Sequence, residues 1–190
     1  MLRRRKFSFC SERLEDRRVL AGNVNVVLSG TTLKITGDDA ANLLTIARIG
    51  ASTLRITGNA TNIQLNGGAG AASQDVNITD FTKLAVKIDL LGGNDNLQIG
   101  DGGNTIEMKS LGVKTGAGAD VASTIKCLVS GSSAASIQMF KAATEVENDI
   151  FVASVTTFKG GLKVRTGDGV DGVDVIATSQ VDKTLDIDTG

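Results

Sequence analysis

The chain has 190 residues, 20 Lys+Arg against 21 Asp+Glu, 23 Gly, six Phe, and no His, Pro, Trp or Tyr. Without histidine the commonest proton shuttle near neutral pH and the commonest metal ligand are both missing, which excludes Ser-His-Asp hydrolysis, histidine-zinc sites and histidine-held haem. The length suffices for one domain with a buried core, and a body of Val, Ile, Leu, Thr, Ala and Gly with few rings suits a narrow interior.

Charge is distributed unevenly. Residues 1–22, MLRRRKFSFCSERLEDRRVLAG, hold seven Lys/Arg and three Asp/Glu, a net +4, and the remainder carries −5. The segment opens on a basic cluster as secretory signals do, but the apolar run of about 7 to 15 residues that such signals need does not follow. Leu14, Val19 and Leu20 among charges suit either a short amphipathic helix or a disordered tail, with disorder favoured. SERLEDRRVLAG resembles the N-terminal LEPR-XLL motif of large planctomycete proteins. Leu14, Glu15, Asp16, Arg17, Val19 and Leu20 carry the likeness, with Asp16 where the motif has Pro and Val19-Leu20 where it has two leucines. The resemblance implies an exported or surface-associated protein. The weakly acidic body shows no basic stripe interleaved with aromatics, so no nucleic-acid partner is expected.

Residues 23–80 are expected to form irregular N-terminal β-repeats or a cap. Apolar alternation broken by SG, GDD and IG turns predicts strands. LKITG at Leu33 and LRITG at Leu54, 21 residues apart, look like an early, shorter repeat. Either they stack in register with later coils or they belong to a small antiparallel cap; the cap is favoured because a stack of strands needs protected ends. Residues 66–75, NGGAGAASQD, are expected to be a surface loop, and Phe81 to cover the end of the stack.

Residues 81–190 predict the regular part. In the unit around KIDLLGGNDNLQI the apolar residues alternate as Val86, Ile88 and Leu90, then Leu97 and Ile99, then Ile106 and Met108, with the glycine turns LGGNDN and GDGGN between the groups, which gives three short strands and two corners. The group returns, with aliphatic starts at Ile88, Val113, Ile137, Val164 and Ile187, at intervals of 25, 24, 27 and 23 residues. Such periods mark stacked architectures. The expected fold is an all-β parallel β-solenoid, a β-helix with coils of about 21–27 residues; β-hairpins, favoured by Asn-Gly-like turns, are the rival. The coil starting at Ile137 takes twelve steps to its acidic turn residue, Asp149, where the others take seven, so five extra residues bulge within MFKAATEVEND, carrying Lys141, Glu145 and Glu147. Insertions of this kind map to one face of a solenoid. The chain stops in LDIDTG, the opening of a further coil, which reads as part of a longer repeat protein or as an edge for self-association.

GAGAD at Gly116–Asp120 and GDGVD at Gly167–Asp171 fit GxGxD, and GGND at Gly92–Asp95 looks like a shortened relative. The turns resemble part of the calcium-binding nonapeptide of RTX proteins. That resemblance implies Ca²⁺ held by Asp95, Asp120, Asp168 and Asp171, with Asn94 helping, although these turns recur every 25 or so residues rather than every nine. The alternative is that glycine supplies positive φ and Asp closes its own turn through a local side-chain to backbone bond. Cys127 reads as a small core residue, and a disulfide with Cys10 is not favoured.

The expected function is therefore a non-catalytic exported or cell-surface structural or adhesive module. Its partners would be itself or surface matrix components, with no membrane-spanning segment and no small-molecule substrate. A calcium-dependent folding module is the alternative. A β-helix polysaccharide lyase or hydrolase is a further one, for which Lys163, Arg165, Asp168 and Asp171 lie close in sequence.

Overall fold

A computed structural model describes residues 22–140 and 146–190. The basic N-terminal segment up to residue 21, with its LEPR-XLL-like stretch and Cys10, lies outside the described residues, as do Lys141 and Glu145 of the extra segment. No helix among the described residues is long and apolar enough to cross a membrane.

The N-terminal region comprises β1 (Asn23–Ser29), β2 (Thr32–Thr36), β3 (Leu43–Arg48), β4 (Thr53–Gly58), β5 (Asn62–Leu65), β6 (Gly70–Ala71) and β7 (Ser73–Asn77), followed by a 3₁₀ turn over Phe81–Lys83. The first coil is β8 (Ala85–Asp89), β9 (Asn96–Ile99) and β10 (Ile106–Met108), and the second is β11 (Ser110–Lys114), β12 (Val121–Ile125) and β13 (Cys127–Val129). The third is β14 (Ala135–Gln138), β15 (Ile150–Ser154) and β16 (Thr157–Phe158), and the fourth is β17 (Leu162–Arg165), β18 (Gly172–Ile176) and β19 (Gln180–Val181); β20 (Leu185–Asp188) follows.

These strands form three sheets that run along the stack. The first has the order β20-β17-β14-β11-β8-β2-β1-β5-β6, the second β18-β15-β12-β9-β3-β4-β7 and the third β10-β13-β16-β19. From β2, β3 and β10 onward every pairing is parallel. This is a parallel β-solenoid of about four turns.

The period read from the sequence is the physical register. Ile88 stands opposite Val113, Val113 opposite Ile137, Ile137 opposite Val164 and Val164 opposite Ile187. Period-two alternation turns these residues inward, where stacking like on like excludes water along the whole interior. In the second sheet one inward column reads Leu44, Leu97, Ala122, Phe151 and Val173. Phe151 is fully buried there, and the small Ala122 beneath it leaves room for the ring at the close packing a protein core requires. Cys127 is a free, buried thiol on the third sheet, and burial pushes its pKa up to about 12.

The N-terminal end is an antiparallel cap. β1 pairs antiparallel with β2, and β4 with both β3 and β7. The LKITG and LRITG segments therefore differ: β2 stacks parallel and in register on β8, with Leu33 opposite Val86 and Ile35 opposite Ile88, whereas Leu54 lies in the second sheet between antiparallel partners, opposite Arg48 and Val76. Both obey the alternation of a half-buried strand, which does not distinguish a hairpin from a coil. The expected loop over residues 66–75 contains β6 and the start of β7, paired with β5 and β4. Phe81 is buried in the 3₁₀ turn, which packs against β10, and the Arg48 guanidinium sits 4.1 Å from the centre of its ring.

Candidate functional site

At the corner between the first and second sheets the chain must turn sharply and then enter a strand. Gly116 has φ +100° and a Cβ there would lie 1.9 Å from the carbonyl oxygen of Leu91; Gly118 has φ +129° and its Cβ would lie 2.2 Å from that of Gly93. Only glycine fits such a left-handed bend pressed against the coil below. The isolated bridge between Gly92 and Ala117 aligns LGGND with GAGAD. The first-coil turn is therefore full length rather than shortened, with Leu91 at φ +75° where the second coil has Gly116.

The acidic residue ending each turn is directed into the stack. The backbone N–H of Asn42 donates to Asp95 Oδ1 at 2.8 Å, that of Asp95 to Asp120 Oδ1 at 2.8 Å, that of Asp120 to Asp149 Oδ1 at 2.9 Å and that of Asp149 to Asp171 Oδ1 at 2.8 Å. Each of these amides accordingly has the carboxylate of the following coil as the acceptor that a buried N–H needs, whether a glycine bend precedes it, as at Asp95 and Asp120, or not, as at Asn42 and Asp149. One residue later the ordinary ladder resumes: Val121 N–H donates to Asp95 O, Ile150 to Asp120 O and Gly172 to Asp149 O. The bond expected to close each turn locally instead spans 22 to 29 residues and joins neighbouring coils.

A second set of bonds runs the opposite way. Asn94 Oδ1 accepts from Ala119 N–H at 3.2 Å, and Asn148 Oδ1 from Val170 N–H at 3.1 Å. Each Asn-Asp pair thus fastens its coil in both directions, the Asn to the coil after it and the Asp to the coil before it. At the fourth coil Thr166 Oγ1 donates to Asp171 Oδ2 at 2.7 Å.

Burial sets the chemistry of this column. Asp95 is 2% exposed, and Asp120 and Asp149 are fully buried. Asp95 is pushed up to about 8, first by loss of solvent and then by the charge of Asp120, against the pull of its bonds from Asn42. Asp149 rises to about 7 through burial, with Asp120, Asp171 and Glu147 adding like charge. Stacked carboxylates about 4.8 Å apart, the spacing of adjacent strands, repel one another in a medium of low dielectric, so neutral forms are favoured. Asp95 Oδ2 and Asp149 Oδ2 are buried without a hydrogen-bond partner among the described residues.

Of the four residues suggested by the calcium-like turns, Asp95, Asp120 and Asp171 therefore share one column. Asp168 does not: it is exposed, and its backbone bridges to Val146 across the extra segment of the third coil. Among the described residues no group of three or more Asp, Glu or Cys is arranged to hold a metal ion. Two members of the column, Asn42 and Asp149, are absent from the calcium-like set. Asp149 is the turn residue displaced by the insertion, and the structure brings it back into line between Asp120 and Asp171. Asn42 lies in the cap, 53 residues before its partner Asp95, where no repeat points to it.

The residues that sequence proximity grouped for sugar cleavage are separated. Lys163 and Arg165 lie at outward positions of β17, with Lys163 Nζ 3.0 Å from Asp186 Oδ2. Asp171 turns inward to Asp149. Comparison with family models, with curated proteins and with solved structures gives no match for this chain.

Proposed function

We propose that the protein is a non-catalytic structural and adhesive module of an exported or cell-surface protein, in which the solenoid serves as a stiff spacer that displays its outer faces. The observation that supports this reading is the column from Asn42 to Asp171: the acidic residues best suited to chemistry are spent on fastening one coil to the next. Its partners on this reading are surface matrix components or further copies of itself.

Far-ultraviolet circular dichroism with thermal melts, in chelator and then in millimolar Ca²⁺, tests it. A chain equally β-rich and equally stable in both conditions supports the structural reading. The second reading, a calcium-dependent module, is favoured by the unpartnered Oδ2 atoms of Asp95 and Asp149. It requires the melting midpoint to rise with calcium, because an ion bound only to the folded state stabilises it by mass action, and it requires Asp120→Asn/Asp171→Asn to abolish that rise.

A further inference from the structure

The outer face of the first sheet holds a different constellation, drawn from the cap and three coils. Register places Lys34 beside Lys87, Lys87 beside Gly112 and Gly112 beside Ser136; in the next outward column Asp89 stands beside Lys114. Where the long side chains give way to Gly112 and Ser136 the face is hollow, a concavity of about 370 Å³ bordered by Lys34, Lys87, Asp89 and Lys114. Its floor is open: no heavy atom comes within 4 Å of where a Cβ on Gly112 would stand. An adjoining concavity of about 200 Å³ shares Asp89 and Lys114 and extends the hollow to Leu91 and Phe140.

The charges here are only partly compensated. Arg55, Lys83, Lys159 and Lys163 each have a carboxylate partner within 4 Å. Among the described residues Lys34, Lys87 and Lys114 have none within that distance; Asp89 borders the main hollow and Asp39 the adjoining one, so three ammonium groups outnumber two carboxylates. An ammonium on a flexible stem serves as a point charge for an anionic group without demanding a fixed geometry. Lys34, Lys87 and Lys114 stand on three successive strands about 4.8 Å apart, the first two in one outward column and the third in the next, so the charge steps obliquely across the face as an extended polyanion could follow. No aromatic ring borders the main hollow, so the stacking platform on which single-stranded nucleic acids rely is missing there.

We infer that this hollow binds a linear acidic polysaccharide, its carboxylate or sulfate groups on Lys34, Lys87 and Lys114 and a sugar ring seated over Gly112 beside the Ser136 hydroxyl. The inference deepens the adhesive reading above and rests on it. The binding assay reads the outer face of the first sheet, whereas the calcium melts read the corner column, so either can fail without the other.

The test is calorimetric titration of the full chain with an oligogalacturonate, with a sulfated heparin oligosaccharide, with the fully methyl-esterified galacturonate oligomer, and with a single-stranded oligonucleotide of matching charge. At least one acidic oligosaccharide is expected to bind, the one that binds identifying carboxylate or sulfate as the recognised group, while the ester does not. Raised salt should weaken the binding, since exposed charges are screened. Gly112→Leu, which fills the hollow, and Lys87→Gln/Lys114→Gln, which removes charge without filling it, should each weaken binding by about tenfold or more, a change of about 1.4 kcal/mol, with melts like the parent's. Failure of the parent to bind either acidic oligosaccharide overturns the inference. So does parental affinity in Lys87→Gln/Lys114→Gln, or tighter binding of the oligonucleotide.

Discussion

Asp95 and Asp149 carry their protons into a pH range where carboxyl groups are ordinarily ionised. In the unfolded chain both would titrate near 3.9, whereas folded they hold on to about 8 and about 7. Between those limits the folded state binds more protons than the unfolded, so stability is full below about pH 4 and falls as pH rises through the folded values. The double variant Asp95→Asn/Asp149→Asn keeps an oxygen at the Oδ1 position for the amides of Asn42 and Asp120 and removes the ionisable group at both positions. Thermal melts should show the parent losing several degrees between pH 5 and pH 8.5 and the variant keeping its midpoint; equal slopes would refute this account of the column. The sequence revealed the column's repeated members, because glycine and aspartate recur at a fixed step. It gave no hint of the direction of the bonds, since a carboxylate at the end of a turn serves equally well for closing that turn or for reaching a neighbour.

Corners are where element and backbone meet, and the first two of a coil's three corners are built differently. The first uses glycines, visible in the sequence as GAGAD and GDGVD. The second, between the second and third sheets, uses Gly100 and Gly102 in the first coil but in the next three places Lys126, Val155 and Ala177 at φ of 54°, 50° and 48°. Nothing marks these residues in advance, because the left-handed conformation there is imposed by the strands on either side rather than invited by the side chain. For a β-branched residue it is costly, and Val155 is half exposed and so gives up little packing. Val155→Gly should therefore stabilise the fold by about 0.5 kcal/mol or more, the strain relieved exceeding the extra chain entropy that glycine brings to the unfolded state. Denaturant titration followed by circular dichroism measures it, and a destabilised variant would show that the valine side chain does more at that corner than the backbone argument allows.

At the scale of the molecule each coil touches only its neighbours, so a whole repeat is removable. Deleting residues 110–133, one full period of the first sheet, would bring Asp149 over Asp95 and Asn148 over Asn94. The shortened chain should remain β-rich and melt cooperatively at a lower temperature, as expected where stability sums over repeats and their interfaces; loss of β structure would mean that the second coil contributes something specific. The repeat was legible because Ile88, Val113, Ile137, Val164 and Ile187 fill one inward column. The cap was less so, since LKITG and LRITG share a pattern while lying in different sheets. The basic hollow was hidden altogether: Lys34, Lys87 and Lys114 come from places far apart in the chain, and only the register of three strands brings them together.

The aspartate bonds at the first corner share one polarity, opposite to that of the Asn94 and Asn148 bonds. Each Asp supplies the acceptor for an amide already laid down in the coil before it, so the donor always precedes its acceptor along the chain. A chain delivered amino end first would meet its antiparallel cap as a finished platform, and each newly arriving aspartate would latch onto a waiting N–H. Addition of coils from the amino end is thereby stepwise: a coil that has arrived is held by its predecessor, and its own turn amide waits for the aspartate of the next.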